Sequence, residues 1–136
     1  MTPAEMHAQI EVTLAEHPSR AEEAGVYVLE CDRPNTWSEV TDKWHETMDA
    51  DMPDWLYSAW TAEKAVYVGA SYNVYGRLID HVESKVRRST FLRMYPPKRL
   101  VKIHFIDDPF DHEGRVGYDL RATYPSWYVY TDAIEV

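Results

Sequence analysis

Two short runs of β-branched and aromatic residues, each containing a glycine, stand out in the hydrophobic pattern of this chain. The first is Gly25–Cys31 and the second is Ala65–Ala70. Continuous apolar runs of this length, rich in valine and tyrosine, are typical of buried strands. A third run, Leu100–Ile106, alternates apolar and polar residues and predicts another strand. We therefore expect three strands.

Apolar residues at helical spacing predict helices at both ends of the chain. Met6, Ile10 and Leu14 recur every four residues, which predicts an N-terminal helix over residues 3–24. Residues 110–122 predict a final helix, although two internal glycines weaken its helix propensity. Residues 127–131 follow it and are expected to form a short extended tail.

The segment between the first two strands, residues 32–63, is acidic and rich in tryptophan. Pro53 divides it into two parts. Apolar residues keep helical spacing in each part, as Trp37, Val40 and Trp44 and then as Trp55, Ala59 and Trp60. We therefore predict a helical insertion held by its aromatic side chains and not a flexible linker.

The segment after the second strand predicts a helix that begins near Ser71 or Asn73, either of which can cap it, and runs to about Arg88. One face of this helix is apolar and is made of Val74, Leu78, Val82 and Val86. A neighbouring face is basic and is made of Arg77, His81, Lys85 and Arg88. The apolar face should pack on a core, and the basic face can meet an anion.

Length and charge add two constraints. The chain has 136 residues, which suits one domain with a single core. Its net charge of −9 opposes binding to nucleic acid, which requires a positive surface. However, residues 77–102 hold eight of the 14 Lys and Arg residues and only two acids. The chain therefore carries one basic segment on an acidic body.

No apolar run approaches the roughly 20 residues that span a bilayer, and the N-terminus lacks the layout of a signal peptide. We therefore expect a cytoplasmic protein with no membrane contact. Cys31 is the only cysteine, so an intrachain disulfide and a cysteine-based zinc site are excluded. Its position at the end of an apolar strand predicts a small buried residue.

The motif order in this chain resembles that of the GIY-YIG nucleases. Gly25-Val26-Tyr27 stands in the first strand, Tyr67-Val68-Gly69 in the second, and the following helix carries Arg77 and His81 one turn apart. The string from Tyr67 to His81 is similar to the family's second motif almost position by position. The resemblance covers residues 25–136, with the insertion at about 32–63 separating the two motifs more widely than is usual in the family.

This resemblance implies an α/β (α+β) fold in which a small three-stranded antiparallel sheet is flanked by helices. It also implies hydrolysis of DNA phosphodiester bonds with one divalent ion, Mg²⁺ or Mn²⁺. The implied catalytic residues are Tyr27, Tyr67, Arg77, His81 and Glu113. Glu113 would bind the metal ion, with Asp119 as the alternative ligand. The residues expected to contact DNA are Ser71, Asn73, Lys85, Arg87, Arg88, Arg93 and Lys98.

These residue types suit the chemistry. A guanidinium is always charged and can grip a phosphate through two donors, so Arg77 can stabilise charge on the phosphoryl oxygens. Mg²⁺ takes oxygen ligands and usually keeps most of its waters, so one carboxylate such as Glu113 can hold it. A tyrosine hydroxyl such as that of Tyr27 can accept or relay a proton if a nearby cation lowers its pKa.

Two other functions are compatible with the same sequence. One is a nucleic-acid binding module that keeps this fold without catalysis. The other is a protein-interaction domain in which the acidic, tryptophan-rich insertion of residues 32–63 binds a partner.

Overall fold

The fold is described from a computed structural model, which covers residues 23–83 and 90–131 together with Glu5 and Ala8. For residues 81–83 the description is limited to the backbone. Glu5 and Ala8 are helical, whereas Glu23 and Ala24 are not. The prediction of helix at residues 23 and 24 is therefore wrong, and apart from Glu5 and Ala8 the rest of the predicted N-terminal helix lies outside the described residues.

The sheet has four strands, in the order β3-β1-β2-β4. They are β1 (Gly25–Cys31), β2 (Lys64–Ser71), β3 (Pro97–Phe105) and β4 (Trp127–Thr131). β1 is antiparallel to both β2 and β3, and β4 is parallel to β2. The three predicted strands are confirmed, but the prediction of a three-stranded antiparallel sheet is wrong. The segment predicted as a tail pairs with β2, because the last helix carries the chain back across the sheet as a parallel pair requires.

Five helices accompany the sheet in the described residues. They are α1 (Trp37–Thr47), α2 (Asp54–Thr61), α3 (Val74–Glu83), α4 (Thr90–Met94) and α5 (Pro109–Thr123). The mixed helix-and-sheet class is confirmed, and so is the helical insertion, which consists of α1 and α2. α4 was not predicted. The predicted continuation of α3 to Arg88 lies outside the described residues.

Alternation along the strands gives the sheet two different faces. The aromatic face carries Tyr27, Leu29 and Tyr67 and is covered by α1, α2, α3 and α4. The valine face consists of Val26, Val28, Val66, Val68 and Val129, and α5 packs on it through Val116 and Leu120. Apolar side chains on both faces explain why β1 is a continuous hydrophobic run and not an alternating one.

Phe91 of α4 lies at the centre of the aromatic face. It is fully buried, and its ring stacks on that of Tyr130 in β4, with centroids 4.7 Å apart and an angle of 10° between the planes. Trp55 of the insertion contacts the same ring, with centroids 5.5 Å apart. The insertion is therefore held by its aromatic residues, as predicted. Cys31 is also buried, as predicted.

Glu30 is a buried carboxylate on the valine face, at the end of the sheet where β1 ends. Its Oε1 lies 3.0 Å from Arg99 Nη2 and 3.4 Å from Lys64 Nζ, and its Oε2 lies 3.2 Å from Lys98 Nζ. Burial raises the pKa of Glu30, but hydrogen bonds from Arg99 and Lys98 and the charge of Lys64 outweigh it, so the pKa is below its ordinary value. We call these four residues the Glu30 cluster.

Replacing Glu30 by Gln should lower the free energy of unfolding by about 1–3 kcal/mol at pH 7, because three cations lose their shared counter-ion. The pKa of Glu30 is lower in the folded chain, so this contribution is present above the ordinary value of 4.5 and is lost as pH falls through the folded pKa. Urea unfolding at pH 7 and at pH 3 measures both effects, and the difference from wild type should shrink at pH 3.

Asp119→Asn is the matched control. Among the described residues Asp119 pairs only with Arg115; both side chains are exposed, and a surface ion pair of this kind contributes less than about 1 kcal/mol. If Glu30→Gln and Asp119→Asn lower the free energy of unfolding equally, the Glu30 cluster does not stabilise the fold.

Candidate active site at the edge of strand β2

Gly69 of the Tyr-Val-Gly motif lies beneath the ring of Tyr27. The two residues are directly paired across β1 and β2. A Cβ atom placed on Gly69 would come within 2.5 Å of both Cζ and Oη of Tyr27. Only glycine therefore allows the phenol to cross β2, and Tyr67, with its ring centroid 6.4 Å from that of Tyr27, packs beside it on the same face.

The Tyr27 side chain is buried, with 1% of its surface exposed, and its hydroxyl lies over Gly69 near one edge of the sheet. β4 pairs with β2 only from Lys64 to Val68, and the described part of β4 ends at Thr131. Among the described strands, residues 69–71 of β2 therefore have β1 on one side and no partner on the other. Since the ring runs from β1 over β2, its hydroxyl is directed towards this edge. We call it the Gly69 edge.

Two contacts fix how α5 passes the Gly69 edge on the valine face. Near the start of α5, the ring of Phe110 lies 5.2 Å from that of Tyr72, just beyond the end of β2. Two turns later, a Cβ on Gly117 would be 3.5 Å from the side chain of Thr131, which pairs with Val68. The first half of α5 therefore runs alongside the end of β2.

Glu113 occupies the middle of this stretch. It is about 4.5 Å along the helix axis from Phe110 and about 6 Å from Gly117, at a rise of 1.5 Å per residue. This places Glu113 at the level of Gly69 and Ala70, with only 6% of its surface exposed. Tyr27 and Glu113 thus approach the Gly69 edge from opposite faces of the sheet.

Arg77 lies in the first turn of α3, directly after β2. Asn73 begins this helix: its Oδ1 accepts a hydrogen bond from Gly76 N at 2.9 Å, and its carbonyl accepts one from Arg77 N at 3.1 Å. The Arg77 side chain is half-buried. Its guanidinium forms no hydrogen bond or ion pair with any residue in the described part of the chain. A half-buried cation of this kind is suited to binding an anion.

The residues predicted to contact DNA are not all in one place. Ser71 Oγ accepts from Asn73 N and donates to Asn73 O, both at 3.0 Å, so these two residues shape the turn before α3. Lys98 belongs to the Glu30 cluster at the opposite end of the sheet. Arg93 is half-buried, and its Nε has no hydrogen-bond partner among the described residues. Lys85, Arg87, Arg88 and the side chain of His81 lie outside the described residues.

The donor set fits one mode of binding a divalent ion. No group of three or more His, Cys, Asp or Glu side chains that could enclose a metal ion occurs in ranges 23–80 and 90–131. Mg²⁺ nevertheless binds to single carboxylates, with waters and substrate oxygens as its other ligands. Glu113 at the Gly69 edge suits this mode. The alternative ligand Asp119 is exposed and bonded to Arg115 Nε at 3.1 Å.

A cavity of about 300 Å³ between α5 and β3 was not foreseen from the sequence. We call it the α5 groove. Of its lining residues, the sequence had pointed to Asp119 as the alternative metal ligand and to Lys102 as the end of the basic segment. The one local signal was the pair Tyr124 and Trp127, two aromatics flanking a two-residue turn, whose rings stack 3.9 Å apart. The other lining residues come from β1, β3 and α5, so only the fold brings them together.

Comparison with protein-family models, with curated proteins and with solved structures gave no match. Among the described residues, none of the helices has the length and apolar character needed to cross a bilayer.

Proposed function

We propose that this chain is a GIY-YIG-type endonuclease that hydrolyses DNA with a divalent metal ion, and that its active site is the Gly69 edge. The observation that carries this proposal is the placement of the Tyr27 phenol over Gly69, with Glu113 at the same level. The two motif glycines and tyrosines alone would suit any small sheet. A tyrosine hydroxyl and a buried carboxylate at one strand edge are what the hydrolysis requires.

The roles follow from the chemistry of each group. Arg77 binds the scissile phosphate and offsets the charge that its oxygens gain in the transition state. Tyr27 holds or accepts the proton of the attacking water, and Tyr67 fixes the ring of Tyr27 in place. Glu113 would hold Mg²⁺ or Mn²⁺, which would supply positive charge to offset the charge that develops during hydrolysis. His81, one turn after Arg77, would orient the water or the phosphate.

The Gly69 edge also suits a large anionic substrate. No further strand pairs with residues 69–71 on that side in the described sheet; Gly69 is buried and Ala70 and Ser71 are half-buried, so a substrate would meet the edge at Ala70 and Ser71. The cations that would contact the DNA backbone are Arg77 and the basic segment that follows it. Because binding by cations releases counterions, DNA affinity should fall as salt rises.

Incubation of the protein with plasmid and branched DNA in Mg²⁺ or Mn²⁺ tests the proposal. Wild type should cleave at least one of these substrates, and Glu113→Gln should lower the rate by about 100-fold or more. Glu46→Gln, the same change at an exposed position on α1, should cleave as wild type does. Circular dichroism checks that both variants are folded.

An inert wild type on every substrate, or equal cleavage by Glu113→Gln and Glu46→Gln, would overturn the proposal. DNA binding that needs no metal and is unchanged in Glu113→Gln, with no cleavage, would support the alternative of a binding module without catalysis. A protein partner at the insertion is a weaker alternative. Trp44 and Trp55 pack into the aromatic face and leave Tyr57 as the exposed ring.

A further inference from the structure

The α5 groove has an apolar floor on the sheet and an apolar side on α5. The sheet contributes Val28 and Val101, and α5 contributes Val116 and Leu120. Cavities that bind small molecules start at about 300 Å³ and are mainly apolar, with a few polar groups that set orientation. The α5 groove, at about 300 Å³, is at the low end of this range. It therefore suits one flat ring system and not an extended ligand.

Aromatic rings close one end of the α5 groove. Tyr124 and Trp127 stack with 9° between their planes, and Lys64 Nζ lies 5.3 Å from the Trp127 ring. Tyr124 is 42% exposed, so part of its ring remains accessible. Exposed rings of this kind stack on nucleobases, which all have a flat π face.

The rim of the α5 groove carries both a cation and neutral hydrogen-bonding groups. Lys102 is exposed, and in the described part of the chain its ammonium forms no ion pair. Burial and the charge of Lys102 lower the pKa of His104, so its ring is neutral at pH 7 and can both donate and accept. Thr123 adds a hydroxyl, and the carboxylate of Asp119 is bonded to Arg115.

The charge near the α5 groove is positive although the chain as a whole is acidic. The Glu30 cluster lies on the same face and holds three cations around one carboxylate. One of these cations, Lys64, contacts the Trp127 ring that lines the groove. Asp119 of the groove is paired with Arg115, and Glu63 bonds Ser126 beside Trp127, so with Lys102 two positive charges remain in excess, against a net charge of −9 for the whole chain. A ligand with a negative group next to a flat ring fits this surface.

We propose that the α5 groove binds one nucleotide, with the base against Tyr124 and the apolar floor and the phosphate at Lys102. This binding does not depend on catalysis. Its use as a substrate site rests on the proposed nuclease function. Leu120 in the groove lies about 10 Å along α5 from Glu113, and a few nucleotides of one DNA strand can span this distance. The substrate would then carry an unpaired base close to the bond that is cleaved.

Calorimetric titration in EDTA, without metal, tests the proposal with three probes: dAMP, a ten-nucleotide single strand and a blunt duplex of equal length. Wild type should bind dAMP and the single strand, and the duplex only weakly. Tyr124→Ala should weaken binding of the first two by about 10-fold or more. Tyr118→Ala is the matched control, because Tyr118 is 64% exposed on α5, which ends just before Tyr124, and it does not line the groove.

Lys102→Gln should weaken binding and lower the salt dependence of single-strand binding by about one unit of slope. No binding of dAMP or single strand by wild type, or equal binding by Tyr124→Ala and Tyr118→Ala, would overturn the proposal. Binding of decanoate but not of nucleotides would also overturn the proposal, because it would indicate a site for an acyl chain.

The cleavage assay separates this inference from the proposed function. If the protein binds nucleotides in EDTA but cleaves no DNA, the nucleotide site is supported and the nuclease function is contradicted. A Tyr124→Ala, Lys102→Gln double variant provides the opposite case. If it cleaves branched DNA normally and binds dAMP and the single strand as wild type does, the nucleotide site is contradicted and the nuclease function is supported.

Discussion

Arg77→Ala should lower the rate of DNA cleavage by about 10²–10³-fold without unfolding the chain. Removing one preorganised group that stabilises transition-state charge typically has an effect of this size. The loss of stability should be small, because the guanidinium has no partner among the described residues. Single-turnover cleavage with saturating DNA and Mg²⁺ measures the chemical step, and thermal unfolding measures the stability.

Two further variants sharpen the result. Arg77→Lys keeps the charge but loses the planar pair of donors, so it should recover only part of the rate. Arg115→Ala makes the same change as Arg77→Ala at an exposed residue of α5. In the described part of the chain the Arg115 guanidinium bonds to Asp119 alone, so this variant should cleave as wild type does. If Arg77→Ala and Arg115→Ala cleave equally fast, Arg77 is not part of the site.

Phe91→Ala should lower the free energy of unfolding by about 3–5 kcal/mol, as expected for a buried phenylalanine. The ring is completely buried and stacks on Tyr130, with Trp55 and Tyr95 at its edges. Its loss would open a cavity where α4, the insertion and β4 meet. The total free energy of unfolding of a small domain is only about 5–15 kcal/mol. The midpoint of urea unfolding should therefore shift by a large amount.

Phe110→Ala removes the same ring from an exposed position. Phe110 is 52% exposed and contacts Tyr72, so its removal should reduce stability by less than about 1 kcal/mol. If Phe91→Ala and Phe110→Ala lower the free energy of unfolding equally, the aromatic face is not packed around Phe91.

The first three strands and the two helices of the insertion were predictable because their signals are local. A valine-rich run is recognisable over seven residues, and tryptophans at helical spacing show which side of α1 and α2 is buried. β4 and α4 were missed for a related reason. Trp127–Thr131 has only five residues, and its partner β2 lies some 60 positions earlier, so nothing nearby in the sequence indicates the pairing. α4 is a single turn of helix stabilised by burying Phe91, a tertiary contact.

The candidate site divides in the same way. The motif named Tyr27, Tyr67, Arg77 and Glu113, because residue types and spacing carry the resemblance. It could not place them, since Tyr27 and Glu113 reach the Gly69 edge from opposite faces of the sheet. That arrangement depends on the β1–β2 register and on the path of α5 past Tyr72 and Thr131.

By itself, then, the sequence determined the local elements, the buried character of β1 and β2, and the list of groups with the right chemistry. These depend on side-chain periodicity and residue type, which are properties of short segments. Only the tertiary structure decided that the sheet has a fourth, parallel strand and that a glycine lets a phenol cross it. The α5 groove likewise exists only in the tertiary structure. Each of these depends on contacts between distant segments, whose geometry is set when the core packs.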